Sequence, residues 1–349
     1  MNRSNIFIPN NVVLEDCEYI LSHLDSKRLK NSKILILGAN SFIATYLQAV
    51  LALLKCKITS ISLNKPRGLF KSIQNENKIK FLRMDLTNEK KVKKILKKKF
   101  DFIFHCATYG QPKKWEGNEK KTIKLNIDLL KQVLDHSLKY KSRILYLSSA
   151  AVYKIQNNNK KIDETSDLGG GKFPGEIIYA NSKITGEQLC KIYKEKYKLP
   201  IYIARPAHTF GPGQDFKDPR YIPQILRRAM VEKKIYILNK ARSIRTWGYI
   251  ADIIIMLLNI VQYGKSLTYN VSGTDHKSFY EVTKIISKIF NNMPIKIKNK
   301  KMSFIDPKTT ILKVSSEKYF KEFRKKHKTS FFDGLIKTII WNQEWQRLN

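Results

Sequence analysis

The feature that most constrains this chain is the stretch Lys33-Ile34-Leu35-Ile36-Leu37-Gly38-Ala39-Asn40-Ser41-Phe42-Ile43-Ala44. Four consecutive apolar residues, Ile34 to Leu37, suit a strand covered on both faces, as in a parallel sheet. After Gly38, the apolar residues Phe42, Ile43, Tyr46, Leu47 and Val50 recur at helical spacing, so the stretch reads as strand, tight turn, helix. A unit of this kind brings backbone N–H groups and a helix N-terminus to the pyrophosphate of a dinucleotide, provided that small residues build the turn. The three glycine places hold Gly38, Ser41 and Ala44. Ser41 departs from the pattern, because its Cβ stands where the backbone would lie closest to phosphate. Taken alone, the turn fits a plain buried strand-to-helix connection equally well.

The rest of the chain narrows the choice. With 349 residues, 42% of them hydrophobic, it can bury one large core or two modest ones. No apolar run approaches the roughly 20 residues of a membrane span. Met1-Asn2-Arg3-Ser4-Asn5 lacks the apolar core of a signal peptide, so a cytoplasmic location is expected. Cys17, Cys56, Cys106 and Cys190 are scattered, with no paired spacing and no histidine at ligand distance, which points to thiols and to no metal site. The formal charge of +37 invites a nucleic-acid reading. Lysine is nevertheless spread over the whole length, and in Lys90 to Lys99 it alternates with Val92, Ile95 and Leu96 at helical spacing, forming a solvated face. Nucleic acid is therefore not the expected partner, while a small anionic substrate would be drawn to such a surface.

In chain order, residues 1–30 form an N-terminal extension with a helix expected from Val13 to Leu24. Residues 31–204 carry alternating strands and helices, the rhythm of a doubly wound parallel sheet. Strand Ile58 to Leu63 ends at Asn64-Lys65, where an acidic residue usually meets the ribose hydroxyls. Asn64 can hydrogen-bond a ribose, whereas Lys65 and Arg67 could meet a 2′-phosphate, so NAD and NADP both stay open. Strands Ile79–Met84 and Phe102–His105 lead to the turns at Asp85-Leu86 and Cys106-Ala107-Thr108. A helix is expected from Lys121 to Leu138, then a strand Arg143–Leu147 opening into Ser148-Ser149. A polar loop with Asn157-Asn158-Asn159 and Gly169-Gly170-Gly171 runs up to Tyr179, which opens the next helix. Residues 205–349, interrupted by Gly211-Pro212-Gly213, Pro219, Pro223, Pro294 and Pro307, read as a smaller mixed α/β domain for substrate.

The chemistry-bearing pair is Tyr179-x-x-x-Lys183. On a helix the two side chains share one face one turn apart, so the ammonium can lower the phenol from its usual pKa of about 10 and make a base near neutral pH.

With these residues, the chain resembles the extended short-chain dehydrogenase/reductase family, specifically its NAD-dependent nucleotide-sugar epimerases and dehydratases. The resemblance runs from about Lys33 to Trp341. It includes the Gly38 turn, Asp85-Leu86, His105-Cys106-Ala107, Asn126, Ser148 to Tyr153, Tyr179-x-x-x-Lys183-x-x-x-Glu187, and Arg205 to Gly213. Later come Arg245-x-Trp247-x-Tyr249-x-x-Asp252, Tyr269 to Gly273, and Gly334-Leu335-x-x-Thr338-Ile339-x-Trp341. It implies a Rossmann-type sheet with bound NAD, NADP not being excluded, and a nucleotide-diphosphate sugar as substrate. Tyr179 would be the base, Lys183 would hold the nicotinamide ribose, and Ser149 would bond the reacting sugar oxygen. Gly38, Asn40, Ser41, Phe42 and Ile43 would surround the pyrophosphate, with Asn64, Asp85, Leu86 and Ala107 along the adenosine. Arg245 would grip the substrate diphosphate, and His208, where many relatives have asparagine, would face the substrate. A homodimer through the helices near 121–138 and 182–197 is implied as well.

Two alanines follow Ser149. Relatives that eliminate water commonly carry Asp-Glu there, and decarboxylating relatives often keep a glutamate at the second place. Ala150 and Ala151 can neither give nor accept a proton, which favours a 4-epimerase over a dehydratase or decarboxylase and leaves 4-keto reduction open. The competing class is a non-catalytic or nucleic-acid-binding Rossmann protein, against which the retained trio Ser149, Tyr179 and Lys183 stands.

Overall fold

Seven parallel strands make the main sheet in the computed structural model, which describes residues 10–77, 79–111, 114–155, 159–171, 174–238, 241–298, 309–324 and 328–348. In chain order the strands are β1 (Lys33–Leu37), β2 (Lys57–Ser62), β3 (Lys80–Arg83), β4 (Phe102–His105), β5 (Arg143–Leu147), β6 (Lys161–Ile162) and β7 (Ile201–Pro206). They continue as β8 (His208–Phe210), β9 (Ile235–Leu238), β10 (Ile244–Tyr249), β11 (Thr268–Val271), β12 (Asp275–Ser278), β13 (Ile295–Lys298) and β14 (Ile311–Val314). The main sheet has the order β11-β7-β5-β4-β1-β2-β3. It turns back on itself between β1 and β4, so a crevice opens at the carboxyl ends of these two strands. Both faces are covered. Leu35, Leu37, Ile103 and Ile144 pack with Leu130, Val133 and Leu134 on one side, while Ile34, Ile36 and Phe104 pack with Leu47, Val50 and Ile254 on the other. This double burial is why β1 and β4 are apolar along their length rather than alternating.

The N-terminal helix, Asn11–Ser22, is sewn into this core rather than laid upon it. Its buried Asp16 accepts hydrogen bonds from Tyr46 at 3.0 Å, Tyr249 at 2.7 Å and Lys337 at 3.1 Å, joining three helices and a strand. Burial raises the Asp16 carboxyl, and these three donors oppose the rise. The helix begins two residues before its expected start because Asn10 caps it, accepting from the Val13 N–H.

A second sheet has the order β12-β10-β14-β6 with β8 paired to β10, and β9 pairs with β13 in a separate two-stranded sheet. Three features differ from the sequence expectation. The last strand of the main sheet, β11, comes from beyond residue 205, so the chain returns to the first sheet after entering the second. The segment expected as one helix from Lys121 to Leu138 contains a π turn at Lys124–Asp128 between helices Glu119–Ile123 and Leu129–Tyr140. The stretch expected as loop before Tyr179 contributes β6, and its helix starts at Pro174, so Tyr179 lies in the second turn. Asn157, Asn158 and Pro307 fall outside the described residues.

One buried ion pair couples the two sheets. The Arg205 guanidinium, at the end of β7, meets both oxygens of Glu187 and donates to the Tyr153 hydroxyl at 2.9 Å. Tyr153 in turn donates to Asn270 of β11 at 2.6 Å, and Asn270 reaches the carbonyl of Ser315 just past β14 at 3.0 Å. Ser148 donates to the same Glu187. Removing one charge would strand the other in the interior. Glu187→Gln is therefore expected to lower stability by about 3–5 kcal/mol, measured by urea denaturation; a loss below about 1 kcal/mol would assign the pair a surface-like role.

Candidate active site

A cleft of ≈ 2180 Å³ lies along the carboxyl ends of the main-sheet strands and runs beneath the second sheet. The Gly38 turn forms its floor. Gly38 has φ +83°, and a Cβ there would fall 2.6 Å from the Ala107 backbone, so the β1 turn and the loop after β4 close on each other only with glycine. Ser41 is the N-cap of helix Phe42–Leu53, its Oγ accepting from the Ala44 N–H at 3.3 Å. The residue that departs from the glycine pattern thus serves the helix end with its hydroxyl, and Ser41, Phe42 and Ile43 all line the cleft. Asn40 clamps the loop after β2, donating to the carbonyls of Asn64 at 2.7 Å and Lys65 at 3.1 Å. The side chains of Asn64 and Arg67 are exposed at this rim. Asp85 accepts from the N–H and hydroxyl of Thr87. Although burial pushes the other way, these bonds hold its carboxyl below the ordinary range. Leu86 and Ala107 are buried beside it.

Ser149 and Tyr179 line the cleft, and Lys183 lies fully buried behind them. Ser149 sits just past β5 and caps the short 3₁₀ turn Ala150–Val152, accepting from the Ala151 N–H at 3.1 Å. The Tyr179 phenol, whose rise on burial is opposed by the nearby Ser149 hydroxyl, is only 6% exposed and stacks on Trp115. Lys183, one turn further along the helix, is fully buried. Its Nζ donates to the Leu147 carbonyl at 2.6 Å and lies 4.6 Å from the Tyr146 ring centre. Tyr179→Lys183→Glu187 therefore runs down one face of the helix, from cleft to interior, and ends on the ion pair with Arg205.

The electrostatics correct one expectation. Lys183 does not bring the Tyr179 phenol down in the free protein. Burial raises that phenol, opposed by the Ser149 hydrogen bond and the charge of Arg220. Lys183 is itself depressed to about 7 by burial, against the opposing pull of Cys106, Glu187 and Cys190. Beneath it, burial and the Lys183 charge push the His105 imidazole down to about 3, with the ring edge-on to Tyr146 at 5.3 Å.

In the half of the cleft under the second sheet, Arg245 from β10 donates to the Thr310 carbonyl at 3.0 Å and hydroxyl at 2.9 Å, and lies over Phe279. Burial lowers its guanidinium to about 10, with Glu176 opposing. His208 of β8 packs edge-on to Trp247 at 5.1 Å, and burial beside Arg245 and Arg220 pushes it to about 3, a neutral ring at any ordinary pH. Arg220, Arg228 and Arg242 also line this half. Sequence reasoning did not single out these three, nor Trp115, because nothing in their local spacing marks them.

The buried atoms without a hydrogen-bond partner among the described residues include Asn40 Oδ1, Thr108 Oγ1, Gln214 Oε1, Arg228 Nε and Trp341 Nε1, all on cleft-lining residues. Unpartnered polar groups gathered in one cleft await a polar ligand. Together with the glycine cradle they fit a dinucleotide. Among the described residues no group of three or more His, Cys, Asp or Glu could hold a metal ion, and no helix is long and apolar enough to cross a membrane.

Comparison with known proteins agrees with this geometry. Residues 34–272 match the model of the NAD dependent epimerase/dehydratase family. A bifunctional polymyxin resistance protein ArnA of Wigglesworthia glossinidia brevipalpis is 28% identical, the alignment taking in 75% of this chain and 42% of that relative; the chain thus spans less than half of its length. A dTDP-4-dehydro-6-deoxy-D-allose reductase of Streptomyces sp is 21% identical over 75% of this chain and 82% of that one. An epimerase structure from Methanothermobacter thermautotrophicus superposes with a TM-score of 0.79 at 21% identity, covering 97% of this chain and 98% of the other.

The Lys183 environment makes a testable prediction. Its folded value of about 7 lies below the ordinary 10.5, so the folded protein binds fewer protons than the unfolded chain between these limits. The penalty of burying the ammonium is complete below about pH 7 and is relieved as pH rises towards 10.5. The stability of the ligand-free protein minus that of Lys183→Met should therefore rise across this window; a flat difference in denaturation at pH 6.5, 8 and 9.5 would contradict the assignment.

Proposed function

Since the chain belongs to the NAD dependent epimerase/dehydratase family, we propose that it oxidises and re-reduces a nucleotide-diphosphate sugar at C4, as a 4-epimerase that retains NAD through the cycle. The observation that carries the choice of reaction is the pair Ala150-Ala151. Both residues line the cleft directly after Ser149, and neither methyl group can move a proton.

The residues fall into roles along the cleft. The N–H groups of the Gly38 turn and the start of helix Phe42–Leu53, with Asn40, Ser41, Phe42 and Ile43, cradle the pyrophosphate, while Asn64, Asp85, Leu86 and Ala107 border the adenosine. Lys183 holds the nicotinamide ribose. When bound, NAD supplies a hydride acceptor and donor over the sugar carbon. Tyr179 takes the proton of the C4 hydroxyl at its phenol oxygen and later returns it, and Ser149 donates a hydrogen bond to the same sugar oxygen. The phenol is held neutral by burial in the free protein. Deprotonation thus has to be favoured by charge that arrives with the cofactor and by Arg220, whose field already lowers it. Arg245 grips the diphosphate with its fork, and the neutral His208 ring borders the sugar without adding charge.

Among the described residues four carboxylates line the cleft: Asp85 is engaged by Thr87, Asp215 by the Lys217 N–H and Asp218 by Arg220, while the charge of Glu176 acts on Arg245. None of these four stands beside Ser149 in sequence, at the places where the acid and base of elimination would be expected. Epimerisation needs only the base, the serine and room for the keto sugar to turn over. A homodimer through the helices spanning 119–140 and 174–197 belongs to the same reading. Ile123, Ile177, Ile192 and Tyr197 are exposed on these helices and give them an apolar surface to cover. Light scattering at micromolar concentration should return twice the chain mass, and a monomer mass would contradict it.

Two measurements test the activity. Tyr179→Phe should abolish turnover and leave NAD affinity within about threefold, because the hydroxyl acts in proton transfer; undiminished turnover would remove Tyr179 from the mechanism. Incubation with a panel of nucleotide sugars, resolved by NMR, should give a C4 epimer. A 4-keto-6-deoxy product or released carbon dioxide would sink the epimerase assignment.

A further inference from the structure

Trp115 lies against the ring of Tyr179, with centroids 5.1 Å apart and planes inclined by 19°. Two contacts set it there. Its indole N–H donates to the Tyr109 carbonyl at 2.8 Å, anchoring the far edge of the ring. Gly175, in the first turn of the helix that bears Tyr179, approaches so closely that a Cβ on it would sit 2.9 Å from the Trp115 Cβ. A side chain at 175 would push helix and indole apart, and the stack with them. On the cleft side the phenol has Ser149 as its neighbour, a hydroxyl that opposes the rise of the phenol on burial. Both rings line the cleft.

We propose that Trp115 is a positioning residue for Tyr179: the indole fixes the plane of the phenol so that its oxygen stays on Ser149 and the substrate, and it keeps water from one ring face. This rests on the reading of Tyr179 as the base. A tyrosine ring turns in a broad torsional well, so its plane is set by what packs on it. The phenol oxygen must meet the sugar hydroxyl at hydrogen-bond distance, and an error of about 1 Å can lower a rate by as much as about 100-fold. An indole exchanges no proton itself, so its whole effect passes through Tyr179.

The test separates positioning from simple support of the fold. Trp115→Ala should lower kcat about tenfold with KM within about twofold. Water reaching the ring would relieve the burial that raises the phenol, so the acid limb of the kcat–pH profile should move to lower pH. Trp115→Phe keeps a ring in place and should recover kcat to within about threefold of the parent with the limb restored. Unchanged kcat and an unmoved limb in a folded, NAD-binding Trp115→Ala protein would overturn the proposal, as would a Trp115→Phe protein no better than the alanine variant. If the parent turns over no nucleotide sugar, the assignment of function fails and the stack is still testable. The ultraviolet titration of Tyr179, taken as the difference between the parent and Tyr179→Phe, should shift to lower pH in the Trp115→Ala background, and an unshifted titration would again overturn the proposal.

Discussion

The buried pair Arg205–Glu187 is the interaction on which the geometry of the cleft depends. An ion pair out of water is tolerated only when its remaining donors and acceptors are satisfied. Here that requirement recruits Ser148 from the end of β5, Tyr153 from beyond the 3₁₀ turn, and Asn270 from β11. Each recruited group neighbours something the cleft needs. Ser148 precedes Ser149, and Tyr153 closes the turn that Ser149 caps. Glu187 lies one turn below Lys183, which lies one turn below Tyr179. The helix face is fixed at its dry end, with Lys183 buried above it and the Tyr179 phenol at the cleft. Asn270 carries the same constraint across to β6 and β14, so the two sheets cannot slide without breaking a buried polar network.

Around this anchor, desolvation is the largest influence on the ionisable groups packed behind the cleft. His105, Cys106, Tyr146, Lys183 and Cys190 are all buried, and in each the neutral form is favoured. The Tyr179 phenol is raised in the same way, and Arg220, whose charge opposes the rise, lines the cleft. The same dry surroundings that hold the phenol neutral strengthen any charge that arrives beside it.

What could be read from the sequence was local. The Gly38 turn declares itself because strand, glycine and helix are contiguous and one residue must take a positive φ. The Tyr179, Lys183, Glu187 face declares itself because four-residue spacing on a helix is geometry. The rest required the tertiary fold. β8 is three residues long and β6 two, too short for any periodicity. The π turn at Lys124–Asp128 shows no breaker; within it the side chain of Asn126 donates to Ser182 at 2.9 Å. The depressed Lys183 and raised Tyr179 were illegible for the same reason. A pair one turn apart predicts mutual influence, but the Leu147 carbonyl and the Tyr146 ring, brought by a strand more than thirty residues upstream, take the ammonium instead.

The high positive charge divides into two populations once the cleft is known. Only thirteen of the 66 cationic residues are arginines, the rest being lysines spread along the chain. Yet among the described residues the cations lining the cleft are Arg67, Arg220, Arg228, Arg242 and Arg245 against Lys114 and Lys217. A compositional drift toward lysine would fill a cleft with lysine as readily as a surface. The reversal at the cleft therefore reflects what those positions must do. A guanidinium is weakly hydrated, stays charged when half-buried, and offers a planar fork to paired oxygens, whereas an ammonium is strongly hydrated and loses its proton more readily when buried. Arg245 remains a cation at about 10 where burial has taken Lys183 to about 7. The cleft thus holds mainly cations of the kind that keep their charge under burial, while the lysines are spread along the chain.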